Sequence, residues 1–74
     1  MADHSAHFEK ALRDAPVIAI LRGIRPDEAV SAGESLFEAG IRIIEVPLNS
    51  PDPFSSIACL VKRLGNKAVI AAFL

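Results

Sequence analysis

The stretch Ile41-Arg-Ile-Ile-Glu-Val-Pro-Leu-Asn-Ser-Pro51 decides how the chain folds. It is an apolar, β-branched run with one carboxylate, Glu45, in its middle and Pro47 at its end. Its length and its Ile and Val content read as a strand over Ile41–Pro47. Period two puts Ile41, Ile43, Glu45 and Pro47 on one face and Arg42, Ile44, Val46 and Leu48 on the other. Proline has no N–H to give a ladder, so regular pairing should fail near Pro47. A carboxylate in a buried strand is costly unless it has a partner or a task. Glu45 is therefore the first candidate functional residue.

Towards the N-terminus, Pro26–Ala39 reads as an amphipathic helix. Pro26 suits the first helical position, and Asp27 and Glu28 suit the positive end of the dipole. Ala29, Val30, Gly33, Leu36 and Phe37 recur at helical spacing, Gly33 allows a close helix–strand approach, and Gly40 is a suitable C′ residue. Before it, Val17–Leu21 is a fully apolar strand that ends in Arg22-Gly23. Phe8, Ala11 and Leu12 mark a short leading helix over His7–Ala15, stopped by Asp14 and Pro16. Residues 1–6 read as a disordered tail.

Towards the C-terminus, Ser50 is placed to cap a helix with Pro51 at its first position. Phe54, Ile57, Leu60, Val61 and Leu64 form its apolar stripe, Lys62 and Arg63 fall in its last turn, and Gly65 ends it. Lys67–Ala72 is a third apolar strand. The order β-α-β-α-β with short loops predicts an α/β fold, a parallel sheet with right-handed crossovers. Residues 7–74 then form part of one domain, with no internal linker or repeat.

Composition narrows the function. The chain has 74 residues, 51% of them hydrophobic and 5% aromatic, which suits α/β layers better than a β-sandwich. The net charge of −1 without a basic stripe argues against a nucleic-acid partner. The longest apolar run, Ala15–Leu21, is too short to cross a bilayer. The first ten residues lack the apolar core of a secretion signal, so the expected location is cytoplasmic. Cys59 has no cysteine to pair with and reads as a structural thiol. His4 and His7 read as solvated rather than metal-binding, so no metal or cofactor is expected. Arg22-Gly23-Ile24-Arg25-Pro26 has one glycine where a dinucleotide fingerprint needs three.

Arg22 and Glu45 then stand out together. Both fall at the C-terminal ends of consecutive parallel strands, where α/β sheets and barrels bind ligands. Ile18, Ile20, Ile41 and Ile43, nearer the strand starts, should fill the core beneath them. Neighbouring strands lie ~5 Å apart, so the two side chains can approach each other or one ligand. Arg22 offers a planar fork for carboxylate or phosphate, and Glu45 suits acid–base work. An internal Arg22–Glu45 ion pair without a catalytic role is the competing reading.

Four pieces carry a resemblance: Pro16-Val-Ile-Ala-Ile-Leu-Arg-Gly-Ile24, Asp27-Glu28-Ala29, Ala39-Gly40 and Ile44-Glu-Val-Pro-Leu-Asn-Ser-Pro51. Over roughly Ala15–Ala72 the chain resembles the start of the 2-dehydro-3-deoxy-6-phosphogluconate and -phosphogalactonate aldolase family. The resemblance implies a (β/α)8 TIM barrel, here its first three β/α units after a short helix, usually assembled as a homotrimer. It implies a cofactor-free class I aldol cleavage of a phosphorylated keto acid to pyruvate and glyceraldehyde 3-phosphate through a lysine Schiff base. Glu45 matches the family's proton-shuttling glutamate, and Arg22 a substrate-binding arginine. The gluconate enzymes tend to read Glu-Val-Thr-Leu-Arg-Thr at the second strand, so Pro47, Asn49 and Ser50 favour the galactonate branch; the gluconate epimer is the alternative substrate. The Schiff-base lysine belongs to a later strand, and Lys10, Lys62 and Lys67 are poor substitutes. Where the family reads Gly-Ala-Gly-Thr, this chain has Ala71-Ala72-Phe73-Leu74. The 74-residue chain is accordingly expected to be a truncated piece, inactive alone and marginally stable, or a non-catalytic remnant.

Overall fold

The computed structural model describes Lys10, Arg13 and residues 17–74. Lys10 and Arg13 are helical. The rest of the expected leading helix, and the tail with His4, lie outside the described residues. The elements that follow are β1 (Ile18–Ile20), α1 (Pro26–Glu38), β2 (Ile43–Pro47), α2 (Pro53–Leu64) and β3 (Val69–Phe73). The strands form one parallel sheet in the order β1-β2-β3. Ile20 pairs with Glu45, Glu45 with Ala71, and Pro47 with Phe73. The two helices touch each other: Arg63 of α2 reaches Glu34 of α1 at 3.4 Å. Strands in sequential order, with both crossover helices on one face, make the wall of a (β/α) barrel, and the parallel α/β expectation is borne out.

The end of α1 explains where β2 begins. Gly40 has φ of 103°, and its N–H bonds to the Phe37 carbonyl at 3.0 Å while the Ile41 N–H bonds to the Leu36 carbonyl at 2.9 Å. These two bonds make a Schellman motif, with Gly40 at C′ as expected. α1 has no basic residue in its last turn. Arg42 supplies one from outside: its guanidinium donates to the Phe37 carbonyl at 2.8 Å and lies 3.8 Å over the Phe37 ring. Ile41 and Arg42 thus close the helix, and the strand starts at Ile43 rather than Ile41. Ile41 packs with the helix-side cluster and not on the Glu45 face.

α2 begins two residues later than the sequence reading placed it. Pro53, not Pro51, is in its first turn, and Asp52 precedes it with φ of 43°. A residue before proline is pushed out of the α region, so Asp52 cannot be helical and the helix cannot start before Pro53. Ser50 is buried rather than capping, and among the described residues its Oγ has no hydrogen-bond partner.

The core lies between the sheet and the helices. Ala29, Ile44, Val46, Leu60, Leu64 and Ala68 form it. The expected core on the opposite face is only partly realised: Ile43 is fully buried, but Ile18 and Ile20 are 40% and 39% exposed. No described element covers them. Two members of the expected α2 stripe are also corrected, since Phe54 and Val61 are 70% and 49% exposed. At 100° per residue they fall on the flank of α2 turned away from Arg63 and hence from α1. Gly33 does permit a close approach, chiefly to the other helix: a Cβ there would lie 2.5 Å from Leu60 Cδ2 and 3.9 Å from Ile44 Cδ1.

Candidate active site

The C-terminal ends of the three strands enclose a cleft of about 390 Å3, lined by Arg22, Pro47, Leu48, Asn49, Phe73 and Leu74. Arg22 is held there by a turn: the Ile24 N–H bonds to the Leu21 carbonyl at 3.4 Å, and Gly23 takes φ of 71°. The Leu21 N–H bonds to the Glu45 carbonyl at 2.9 Å, which anchors the end of β1 to β2. On the β3 side, the Leu48 N–H bonds to the Phe73 carbonyl at 2.8 Å.

Pro47 interrupts pairing on one side only. In a parallel ladder, alternate residues turn their N–H and C=O to opposite neighbours. Glu45 faces β1, so Pro47 does too, and β1 has already ended at that level. The absent N–H therefore removes no ladder bond. Pairing with β3 continues past the proline, and the Pro47 carbonyl accepts from the Ser50 N–H at 3.0 Å. The expected failure of pairing is thus confined to the β1 side.

Glu45 is half-buried in the middle of β2, level with Ile20 rather than with Arg22. Arg22 lies two residues further along, about 7 Å up the strand direction and one strand spacing across. No hydrogen bond or ion pair joins the two side chains among the described residues. Arg25, Arg42 and Arg63 by contrast have partners. Arg25 pairs with Asp27 at 3.1 Å and Glu28 at 3.6 Å, and the hydrogen bond to Asp27 followed by the two acidic charges pushes its guanidinium above its ordinary value. The structure therefore places Arg22 and Glu45 on one face without pairing them. That arrangement leaves a guanidinium at the mouth of the cleft for an anion, and a carboxylate one layer below it.

Among the described residues no lysine lines this cleft. Lys67 precedes β3, at the far end of the sheet, with its Nζ 5.9 Å from the Phe37 ring. Lys62 lies with Val30, Cys59 and Arg63 in a groove on the helical layer. Cys59 is half-buried there as a free thiol. Asn49 was not among the candidate site residues. Its position, four residues beyond Glu45 in the turn that leaves β2, was the signal that could have found it.

The fold and the cleft define a class: a parallel α/β sheet of the barrel-wall type, with a charged site at the C-terminal ends of its strands. Comparison with known proteins narrows it. No family model matches the chain. Over 57 residues, 77% of its length, the chain is 51% identical to a protein of Rhizobium meliloti (strain 1021) named probable 2-dehydro-3-deoxy-6-phosphogalactonate aldolase. It is 49% identical over the same number of residues to the 2-dehydro-3-deoxy-6-phosphogalactonate aldolase of Escherichia coli (strain K12). It spans about a quarter of the length of these curated relatives. A solved structure described as native KDPGal superposes with a TM-score of 0.75 at 49% identity, covering 77% of this chain and 28% of that one. A designed cube-shaped protein cage, made by fusing symmetric oligomeric domains, superposes at 0.77 with 48% identity, covering 78% and 22%. Over that quarter of their length the chain is similar to 2-dehydro-3-deoxy-6-phosphogalactonate aldolases.

Among the described residues no cluster of three or more His, Cys, Asp or Glu could hold a metal ion, and no helix is long and apolar enough to cross a membrane.

Proposed function

We propose that residues 7–74 are the N-terminal part of a single-domain barrel aldolase whose complete form cleaves 2-dehydro-3-deoxy-6-phosphogalactonate to pyruvate and glyceraldehyde 3-phosphate. The identity of about 50% to two aldolases of that name carries the reading. In it, Arg22 binds an anionic group of the phosphorylated keto acid through its guanidinium, which has no ion pair among the described residues. Glu45 moves protons as a lysine from a later strand forms and releases the Schiff base. A carboxylate serves this task when it is positioned near the reacting carbon and partly withdrawn from water. No resident cofactor or metal takes part.

Homotrimeric assembly belongs to the same reading, supported by the superposition on a cage built from symmetric oligomeric domains. So does a cytoplasmic location, since a multiply charged substrate does not cross a bilayer unaided. The galactonate epimer is preferred because Pro47, Asn49 and Ser50 follow that branch and both relatives carry that name.

Borohydride trapping with pyruvate tests the mechanism. The complete enzyme should be captured covalently, and the 74-residue chain, whose cleft has no lysine, should not. Capture on the short chain would overturn the assignment of the lysine to a later strand. In the complete enzyme, Glu45→Gln should lower turnover at least ~10²-fold with the fold intact; near-normal turnover would remove Glu45 from the mechanism. Faster cleavage of the gluconate epimer would overturn the choice of substrate.

A further inference from the structure

The turn that leaves β2 presents a polar side chain that takes no part in holding the turn together. The Ser50 N–H closes it on the Pro47 carbonyl at 3.0 Å, and the Leu48 N–H ties it to the Phe73 carbonyl at 2.8 Å. Pro47 and Ser50 are buried on either side, while Asn49 between them is exposed and lines the cleft with Arg22. Asparagine is common in turns for two local reasons. It tolerates a left-handed backbone, and its carboxamide bonds to the backbone two residues on. Neither applies here. Among the described residues Asp52 alone combines a side chain with a positive φ, so the Pro47–Ser50 turn is of a kind that most residues accept. The Asn49 carboxamide makes no hydrogen bond among the described residues. Its donor and acceptor are therefore free at the rim of the cleft.

We propose that Asn49 contacts the substrate and hydrogen-bonds the hydroxyl that the aldehyde product keeps; the proposal rests on the aldolase reading. The two charged residues leave a gap in recognition, because Arg22 only donates and an ionised Glu45 only accepts. A carboxamide does both, which matches a hydroxyl, itself a donor and an acceptor. The pyruvate half of the phosphorylated keto acid carries no hydroxyl, so a hydroxyl met in the cleft belongs to the aldehyde half. That half carries two. The one on the carbon whose bond breaks gives up its proton and becomes the aldehyde oxygen, which is work for Glu45. Asn49 lies four residues beyond Glu45, at the rim, and meets the next one along the substrate. That is the hydroxyl retained in glyceraldehyde 3-phosphate. The C-terminal ends of the strands are the face that stays open when a sheet closes into a barrel, so this rim remains accessible in the complete enzyme.

Two reactions of the complete enzyme separate the halves of the substrate. Exchange of the pyruvate methyl protons with deuterium oxide, followed by proton NMR, uses the Schiff-base lysine and Glu45 but no aldehyde. Condensation of pyruvate with glyceraldehyde 3-phosphate uses both halves. Asn49→Ala should leave the exchange rate within ~2-fold and lower kcat/KM for the aldehyde ~10-fold, the upper end of what one neutral hydrogen bond contributes. With 3-oxopropyl phosphate, the same aldehyde without its hydroxyl, the variant and the unmodified enzyme should agree within ~2-fold. A residue that only shapes the turn would slow both aldehydes alike. Asn49→Leu, similar in size and without hydrogen-bonding groups, repeats the comparison if the alanine variant loses exchange. Equal losses with the two aldehydes, unchanged condensation with glyceraldehyde 3-phosphate, or loss of exchange in both variants would overturn the proposal. An unmodified enzyme that neither exchanges pyruvate protons nor cleaves the keto acid would overturn the aldolase reading, and the proposal with it.

Discussion

Gly33→Ala sets two effects of opposite sign against each other, and the helix–helix geometry says which wins. An alanine inside a helix is favoured over glycine by about 1 kcal/mol. At position 33 the added methyl would lie 2.5 Å from Leu60 Cδ2 and 3.2 Å from Leu64 Cδ1. Carbon pairs settle near 3.5–4.0 Å, so the overlap with Leu60 is about 1 Å. Leu60 is fully buried, so it has little room to turn away. Overpacking of this kind costs roughly 1–3 kcal/mol. The net expectation is a destabilisation of about 1 kcal/mol, where propensity alone predicts a gain of the same size. Leu60→Ala should cost about 2–5 kcal/mol by leaving a cavity. In the double variant the methyl at 33 meets that cavity, so the overlap disappears and the helical preference is recovered. The pair should then be more stable than the sum of the singles by about 2 kcal/mol. Urea unfolding followed by far-UV circular dichroism reads this directly, because a slope near 1 kcal/mol/M turns it into a midpoint difference of about 2 M. Additivity within about 0.5 kcal/mol would refute the close packing of α1 on α2 through Gly33.

Other substitutions check separate parts of the structure. Ile44→Ala should cost about 2–5 kcal/mol while Phe54→Ala stays within about 0.5, and equal losses would contradict the placement of the core on the Ile44 side. Arg42→Met removes the guanidinium from the Phe37 carbonyl and should cost about 1–2 kcal/mol, with faster hydrogen exchange at the amides of Gly40 and Ile41. Unaltered exchange there would mean that the guanidinium does not hold the end of α1. Gly40→Ala forces a Cβ into a left-handed conformation and should cost about 1–2 kcal/mol by thermal unfolding, whereas a stable variant would place the helix end elsewhere.

The sequence shows the element order and the parallel sheet because each strand is a short β-branched run and each helix has a proline near its start. It also shows the Schellman end of α1, since Gly40 follows the last apolar turn. The starts of β2 and α2 escape a simple pattern reading for identifiable reasons. Ile41 and Arg42 continue the apolar alternation of β2, yet Arg42 is drawn back to the carbonyl of Phe37, a contact across five residues that periodicity does not reveal. Pro51 looks like a helix start until Pro53 is weighed, because the second proline bars Asp52 from the helix. Arg22 and Glu45 are legible as two charges on one face of neighbouring strands, although Glu45 lies in the middle of β2 and not at its end. Their offset is not legible: Arg22 belongs to the turn beyond β1, and the pairing of Ile20 with Glu45 is set by the register, which no single strand encodes. Asn49 stayed hidden because a polar turn residue looks alike whether it lines a cleft or faces open water.

Pro47 also has a consequence for what the cleft can admit. The rim of a sheet normally offers alternating backbone donors and acceptors, and any extended peptide can dock on such a row. Beside Arg22 the row is blank, because the residue facing that side is an imino acid and its carbonyl is already bonded to Ser50. What a visitor meets there is the Arg22 side chain rather than a backbone donor. The gap thus gives an extended peptide no backbone ladder to join at that point.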